Sequence, residues 1–457
     1  MIEFSAHGDF QAKNGSQGAE FQQKFRSFNK YEVRPMGYWF EDPTLKALAP
    51  LALSSSIKGL STIFKTPKIY VGSNVFPEGM VIGPSTMDAL GPRCAKKRAF
   101  VITDEFNERY AKKAAQFLQS DGFTTELWAK TLPEAPMENV RACAEAMNAF
   151  EPDMIMAVGG GSVMDLAKGA WILYEQPGLG DLGMISPLDE LNLRQKAMLV
   201  AVPTTSGTGS ECTGAAVFSD TAVHRKIPIT HDELVPDVAI LSPEFTMSMP
   251  PKLTVGTGLD VLAHAMDAVT TPAANEFTEP LALKAIEMVF QWLPRAYGNG
   301  DDREARHRMM IAATIAGIAF GMSGCHLTHS FGHALGAVYE MHHGLCVGFF
   351  IPHSFQFCQT VTDKHLLICK SLDIPASDAQ DGMKNLVSKV REFLTRLEVP
   401  LTLKGFEISA EDFEEKLPKL VEYAHGDVSC YLSPRPITAE QCEKVFRYAY
   451  EGKDIDF

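Results

Sequence analysis

The sequence contains no CxxC pair, no run of lysine or arginine, no apolar stretch of membrane-spanning length and no internal repeat. Each absence closes a class of function. The nine cysteines, at 94, 143, 212, 325, 346, 358, 369, 430 and 442, are odd in number and scattered, so neither a disulfide framework nor a thiolate zinc site is indicated. A reducing compartment fits that usage. The net charge of -14 without clustered basic residues argues against nucleic acid and anionic membrane surfaces, both of which need concentrated positive charge. Residues 1–30 hold no apolar h-region, and the longest apolar run, IAATIAGIAFGM at 311–322, is too short to cross a bilayer. The expectation is a cytoplasmic protein with no membrane partner.

What is present describes a globular chain. With 457 residues, 46% hydrophobic and 21% charged, it has apolar residues enough for two or three cores. Three regions are expected. Residues 1–64 read as an N-terminal extension, including the stretch LKALAPLALSSSIKGL, which could be amphipathic. Residues 65–245 alternate short β-branched runs with helical stretches: RAFVITD, then EFNERYAKKAAQFLQSDG, FTTELWAK, MENVRACAEAMNAF and PDMIMAVGGGS. That rhythm predicts an α/β domain with a parallel sheet covered by helices. From 246 to 457 the apolar residues fall at helical spacing only, which predicts an all-α domain.

Two turns in the α/β region carry chemistry. In AVGGGSVMDLAKGA, residues 157–170, three glycines and a serine join a strand to a helix, so backbone N–H groups can approach a phosphate unobstructed. This is neither a G-x-G-x-x-G fingerprint nor a Walker loop, and a tight connection that merely needs glycine is an equal reading. In MLVAVPTTSGTGSECTG, residues 198–214, Thr204, Thr205, Ser206, Thr208 and Ser210 form a row of hydroxyls suited to phosphates and ribose. Asp104 ends a strand and could accept from a ribose diol while repelling an added 2'-phosphate, although it precedes the glycine turn instead of following it. Capping the next helix is its competing role.

Histidines concentrate in the helical region. The stretch 324–344, GCHLTHSFGHALGAVYEMHHG, holds His326, His329, His333, His342 and His343 out of thirteen in the chain. In TGLDVLAHAMDA, Asp260 and His264 stand at i and i+4, projecting from one helical face a turn apart. His326, His329 and His333 fall at i, i+3 and i+7, again on one face. Carboxylate and imidazole ligands without sulfur suit a first-row divalent ion such as Fe(II), Zn(II) or Mn(II).

GGGSVMDLAK, PTTSGTGSE, GLDVLAHAMDA and HSFGHALGAVYEMHHG, in this order, resemble the iron-containing, metal-dependent group of alcohol dehydrogenases, over roughly residues 65–457. The resemblance implies a dehydroquinate synthase-like fold: a dinucleotide-binding α/β domain, then a helical domain, with metal and nicotinamide in the cleft between them. It implies metal ligands at Asp260, His264, His329 and His343. His333 matches a histidine near the nicotinamide, a candidate proton relay, and Phe320 matches an aromatic lining the substrate pocket. Asp104, Gly160, Gly161, Ser162, Asp165, Thr204, Thr205, Thr208 and Lys226 match nucleotide-contacting positions. His326, His342 and His353 have no role in that pattern and read as structural, and Cys325 and Cys346 as small apolar fillers.

The implied activity is hydride transfer between NAD(H) and a small alcohol or aldehyde at a divalent metal, Fe(2+) with Zn(2+) or Mn(2+) as alternatives, in a homodimer. A hydroxyacid-oxoacid transhydrogenase, a zinc-dependent glycerol dehydrogenase and a dehydroquinate synthase stay open as neighbouring readings, as does a silent metal- or nucleotide-binding protein.

Overall fold

Short runs rich in Val, Ile, Ala and Met give the strands β1 (Lys68–Val71), β2 (Arg98–Ile102), β4 (Met154–Gly159) and β5 (Met198–Pro203), and the less apolar TTELW gives the edge strand β3 (Thr124–Trp128). A two-stranded antiparallel ribbon follows, β6 (Ala215–Asp220) with β7 (Arg225–Thr230), and then β8 (Val238–Leu241). The computed structural model describes residues 64–72, 93–187, 189–221 and 225–457, so the expected N-terminal extension lies, except for Phe64, outside the described residues.

All strands but the ribbon lie in one parallel sheet of order β1-β8-β5-β4-β2-β3. Side chains alternate between its faces. Phe100, Ile102, Ile155, Ala157, Leu199 and Ala201 enter one buried cluster, with helices α2 (Met137–Phe150) and α3 (Gly161–Glu175). Ala99, Val101, Met156, Val158, Val200 and Val202 enter the other, with helix α1 (Glu108–Ser120). Both faces are covered, which explains continuous apolar runs instead of an apolar-polar alternation. The ribbon was not expected from the sequence: Pro228 stands inside its second strand, in register with Val217, and proline is confined in sheets to edge strands and similar positions.

Among the described residues no strand follows Leu241. Helix α4 (Pro251–Thr270) is buried at every position from Thr254 to Thr270, so other elements surround it on all sides. Against it pack α5 (Thr278–Gly298), α6 (Arg303–Ser323) and, later in the chain, α8 (His343–Cys358). Between these, α7 (Leu327–Tyr339) shares a second cluster with α8, α11 (Ala410–Gly426) and α12 (Ala439–Glu451); α9 (His365–Ser371) and α10 (Ala379–Arg396) complete the helices. All nine cysteines are free thiols. No single described helix is long and apolar enough to cross a membrane, and the one pair that qualifies together, α6 with α7, is bent by 107°.

Candidate functional site

The sheet winds outward in two directions from the β2–β4 pair, and in such sheets the crevice beyond the strand ends at that point is where ligands bind. Asp104 follows β2 and the glycine turn follows β4, so strand pairing makes neighbours of two motifs that chain order separates. Thr103 Oγ1 donates to Val158 O at 2.7 Å and ties the two ends together. Asp104 Oδ1 accepts from Asn107 N at 2.8 Å and both its oxygens lie 2.9 Å from Asn107 Nδ2, so the carboxylate is pinned and holds the turn that leads into α1, whose N-cap residue is Asn107.

The glycine turn and the hydroxyl loop pack against each other. A Cβ at Gly160 would stand 3.1 Å from Thr205 Cγ2, and one at Gly161 would stand 2.8 Å from Thr208 Cγ2. Thr204 Oγ1 and Ser206 Oγ are buried without a hydrogen-bond partner. Buried hydroxyls are normally satisfied, so this pair fits a polar ligand. Ser162 Oγ accepts from Glu134 N at 3.0 Å, and Lys226, on β7, pairs with Glu134 Oε2 at 2.7 Å.

Asp165 is turned to the protein. Its oxygens accept from Ser210 Oγ at 3.0 Å and Val217 N at 3.2 Å. Lys168, fully buried one turn on, donates to Ser210 O and Oγ, Thr213 O and Ala215 O at 2.7–2.9 Å. Burial lowers the Lys168 ammonium to about 8 and raises Asp165 to about 6, in both cases against the pull of the other group. Together they anchor the hydroxyl loop to α3. On its other side the loop rests on α6: Thr314 Oγ1 donates to Glu211 Oε1 at 2.6 Å, and Cys212 Sγ lies 3.2 Å from Thr314 O. Gly209 sits at φ 62°, and a Cβ there would fall 2.6 Å from Gly317 Cα.

The helical half brings Asp260, His264, His329 and His343 together, with one ligand atom from each lying within 4.8 Å of the others. Asp260 Oδ1 has His343 Nε2 at 3.2 Å, His264 Nε2 at 3.6 Å and His329 Nε2 at 3.9 Å. Four atoms bonded at ~2.1 Å to one tetrahedral ion would stand about 3.4 Å apart. Asp260 Oδ1 and His329 Nε2 are buried with no hydrogen-bond partner. A buried carboxylate left so costs several kcal/mol, and a dication among these four atoms would satisfy it and the imidazoles at once. The residues therefore fit a divalent metal.

Burial lowers His264 to about 3, against the attraction of Asp260, which keeps it in the neutral form that ligates. Burial works to raise Asp260, but the surrounding imidazoles hold it well below the usual carboxylate range. Gly344 lets His343 reach the cluster: a Cβ there would collide with Gly256 O and Asp260 Cβ, so α8 crosses α4 nearly backbone to backbone.

Phe320 lies face to face on His264, centroids 3.9 Å apart and planes 7° from parallel. His333 is a neighbour of the cluster, its ring 5.1 Å from that of His343, and its Nδ1 is 2.8 Å from Asp427 Oδ2. Burial works to lower His333, but the Asp427 carboxylate raises it overall. Two acids beside the cluster were missed by sequence reasoning. Asp427 follows α11, far along the chain, and nothing local marks it. Asp267 lies seven residues after Asp260, two turns on along the same face, and that spacing could have found it. Its Oδ2 is 2.9 Å from His329 Nδ1. His326 bonds Thr270 Oγ1 at 2.7 Å, the ring of His342 stands where Gly256 lacks a side chain, and His353 is buried beside Phe349 and Phe350. Cys325 and Cys346 are buried thiols.

Comparison with known proteins covers both halves of the chain. Residues 77–243 match the family described as iron-containing alcohol dehydrogenase, and residues 254–450 its C-terminal counterpart. The chain is similar to the NADPH-dependent butanol dehydrogenase of Clostridium saccharobutylicum, 33% identical over 384 residues, which cover 83% of this chain and 98% of that one. It is 28% identical over 383 residues to the NAD-dependent methanol dehydrogenase of Bacillus methanolicus, with 82% and 98% covered. Among solved structures, an iron-containing alcohol dehydrogenase from Thermococcus thioreducens superposes with a TM-score of 0.74 at 28% identity, covering 86% of this chain and all of that one.

Proposed function

The chain belongs to the iron-containing alcohol dehydrogenase family, and from that membership we propose that it moves a hydride between NAD(H) and a small primary alcohol or its aldehyde. The reading places the reaction in a cleft between a nucleotide-binding half, residues 65–245, and a metal-binding half, residues 246–457. The observation that carries it is Asp260 Oδ1, buried without a hydrogen bond and ringed by three imidazole nitrogens.

Asp260, His264, His329 and His343 would hold the metal, Fe(2+) by family and Zn(2+) or Mn(2+) by ligand chemistry. When bound, that ion supplies a Lewis acid toward the alcohol or carbonyl oxygen, and the nicotinamide supplies the hydride acceptor or donor. The chain's own residues do the rest. Gly160, Gly161 and Ser162 offer backbone N–H groups at the start of α3 to the pyrophosphate, and Thr204, Thr205, Ser206 and Thr208 offer hydroxyls. Lys226 adds positive charge at the same turn, and Asp165 holds the loop in place. Asp104 accepts from the ribose diol and favours NAD over its 2'-phosphorylated form. Phe320 covers one face of His264 and walls the substrate side against water. His333 keeps its Nδ1–H on Asp427, so Nε2 is the atom free to take the hydroxyl proton, and its half-exposed ring can pass that proton to solvent.

The test is turnover. Chelated enzyme reloaded separately with Fe(II), Zn(II) and Mn(II) should oxidise short primary alcohols with release of NADH. No activity with any ion across a panel of C2–C4 alcohols and aldehydes would sink the proposal, and a cofactor that never leaves the protein during turnover would favour a transhydrogenase.

A further inference from the structure

We propose that Asp267 is the positioning residue of the metal centre, holding the Nδ1–H of His329 so that its Nε2 lone pair is presented to the ion. The inference rests on the metal reading of Asp260, His264, His329 and His343. Asp267 is fully buried, with none of its surface exposed to solvent. Its Oδ2 accepts from the His326 backbone N–H at 2.9 Å and stands 2.9 Å from His329 Nδ1, while Oδ1 lies 3.2 Å from His326 Nε2. An imidazole nitrogen at hydrogen-bond distance from a carboxylate carries the proton. In neutral His329 the other nitrogen must then be bare, and Nε2 is the atom found buried without a partner beside Asp260. The carboxylate fixes the tautomer, fixes the ring rotation and raises the basicity of the donating nitrogen.

The geometry also argues against Asp267 as a ligand. Asp267, Cys325 and His329 do place ligand atoms within 4.8 Å of one another. With Nδ1 and Oδ2 2.9 Å apart, however, a hydrogen fits between them, whereas a tetrahedral ion bonded to both at ~2.1 Å would hold them about 3.4 Å apart. Asp267 approaches His329 from the Nδ1 side of the ring, and Asp260 from the Nε2 side. The spacing supports the division of labour: on α4, Asp260 and His264 face the ion at i and i+4, and Asp267 at i+7 braces the third ligand from behind.

The experiment measures Zn(II) affinity of the full chain by competition with a chromogenic chelator, together with the visible absorption of the Co(II)-loaded protein. Asp267→Asn keeps an acceptor for Nδ1–H but loses the charge, and should weaken Zn(II) binding about tenfold. Asp267→Ala keeps neither and should weaken it up to about a hundredfold and change the Co(II) band intensities. Thr270→Val, which cuts the His326 bond to Thr270 and leaves Asp267 in place, should stay within about threefold of wild type. Circular dichroism checks the fold, and Asp267→Asn, nearly isosteric, decides the matter if the alanine variant does not fold. Asp267→Asn with wild-type affinity and an unchanged Co(II) spectrum overturns the inference while leaving the metal site standing. Two ions per wild-type chain, one lost in Asp267→Asn, overturns it by making Asp267 a ligand. A wild-type chain that takes up neither ion overturns the metal reading and this inference with it.

Discussion

At the ends of β4 and β5 the groups on offer are backbone N–H, small hydroxyls and the room left by Gly160 and Gly161; around Asp260 they are four ionisable side chains carried on helices. The first set works through what is missing, since a methyl group at Gly161 would already touch Thr208. The second works through what is present, since removing one side chain leaves buried charge or a buried nitrogen unmatched. A surface built for an extended, flexible dinucleotide needs many weak donors in a shallow row, whereas a single ion needs a few strong ligands converging on a point. The two halves should therefore fail differently under substitution: the helical half to deletion, the α/β half to addition.

The largest effect is expected from Asp260→Ala, which removes the one carboxylate of the cluster. Metal should be lost and turnover should fall by on the order of 10³-fold or more, while circular dichroism stays that of the wild type; a folded variant that keeps its metal by elemental analysis would show the ligand set to be wrong. Next comes His333→Ala. Turnover should drop roughly 10²-fold with an altered pH profile and the metal retained, and complete metal loss would make His333 a ligand. In the other half, Gly161→Ala adds a single methyl group at the start of a helix, where alanine suits the backbone. If the clash is relieved by displacing Thr208 from the cradle, an overpacking cost near 2 kcal/mol should weaken NADH binding by up to roughly thirtyfold. Zn(II) affinity should not move, and unaltered NADH binding by fluorescence titration would remove the glycine turn from the cradle. The smallest change is a preference. Asp104→Gly should raise kcat/KM with NADP relative to NAD about tenfold, for a difference of about 1.4 kcal/mol. If Asp104 serves only to hold the turn before α1 through its bond to Asn107, the ratio will stay fixed while thermal stability falls.

The same contrast explains what could be read from the sequence. Helical spacing is a direct map of which side chains share a face, so Asp260 and His264 were legible at i and i+4, and His329 and His333 likewise at i and i+4. His343 required a chain reversal, which the left-handed Glu340 supplies at the end of α7. Asp427 was illegible because it meets His333 across 94 positions of chain. In the α/β half, the parallel sheet followed from its apolar runs, and the glycine turn and hydroxyl loop from composition. Strand order did not follow, and it is the order that sets Asp104 beside the glycine turn. Lys168 stands on the helix that the turn opens, but its four bonds to residues more than forty positions away belong to tertiary packing alone and leave no local signal.

Helix α6 touches both regions, and the contact has a mechanical meaning. Its residues Thr314 and Gly317 seat the hydroxyl loop, and Phe320, one turn further on, lies on His264. Where Gly209 meets Gly317 the two backbones approach so closely that a Cβ on either residue would strike the other. Because Thr314, Gly317 and Phe320 are carried on one helix, a displacement of α6 would be felt at the hydroxyl loop and at the ring stacked on His264 together.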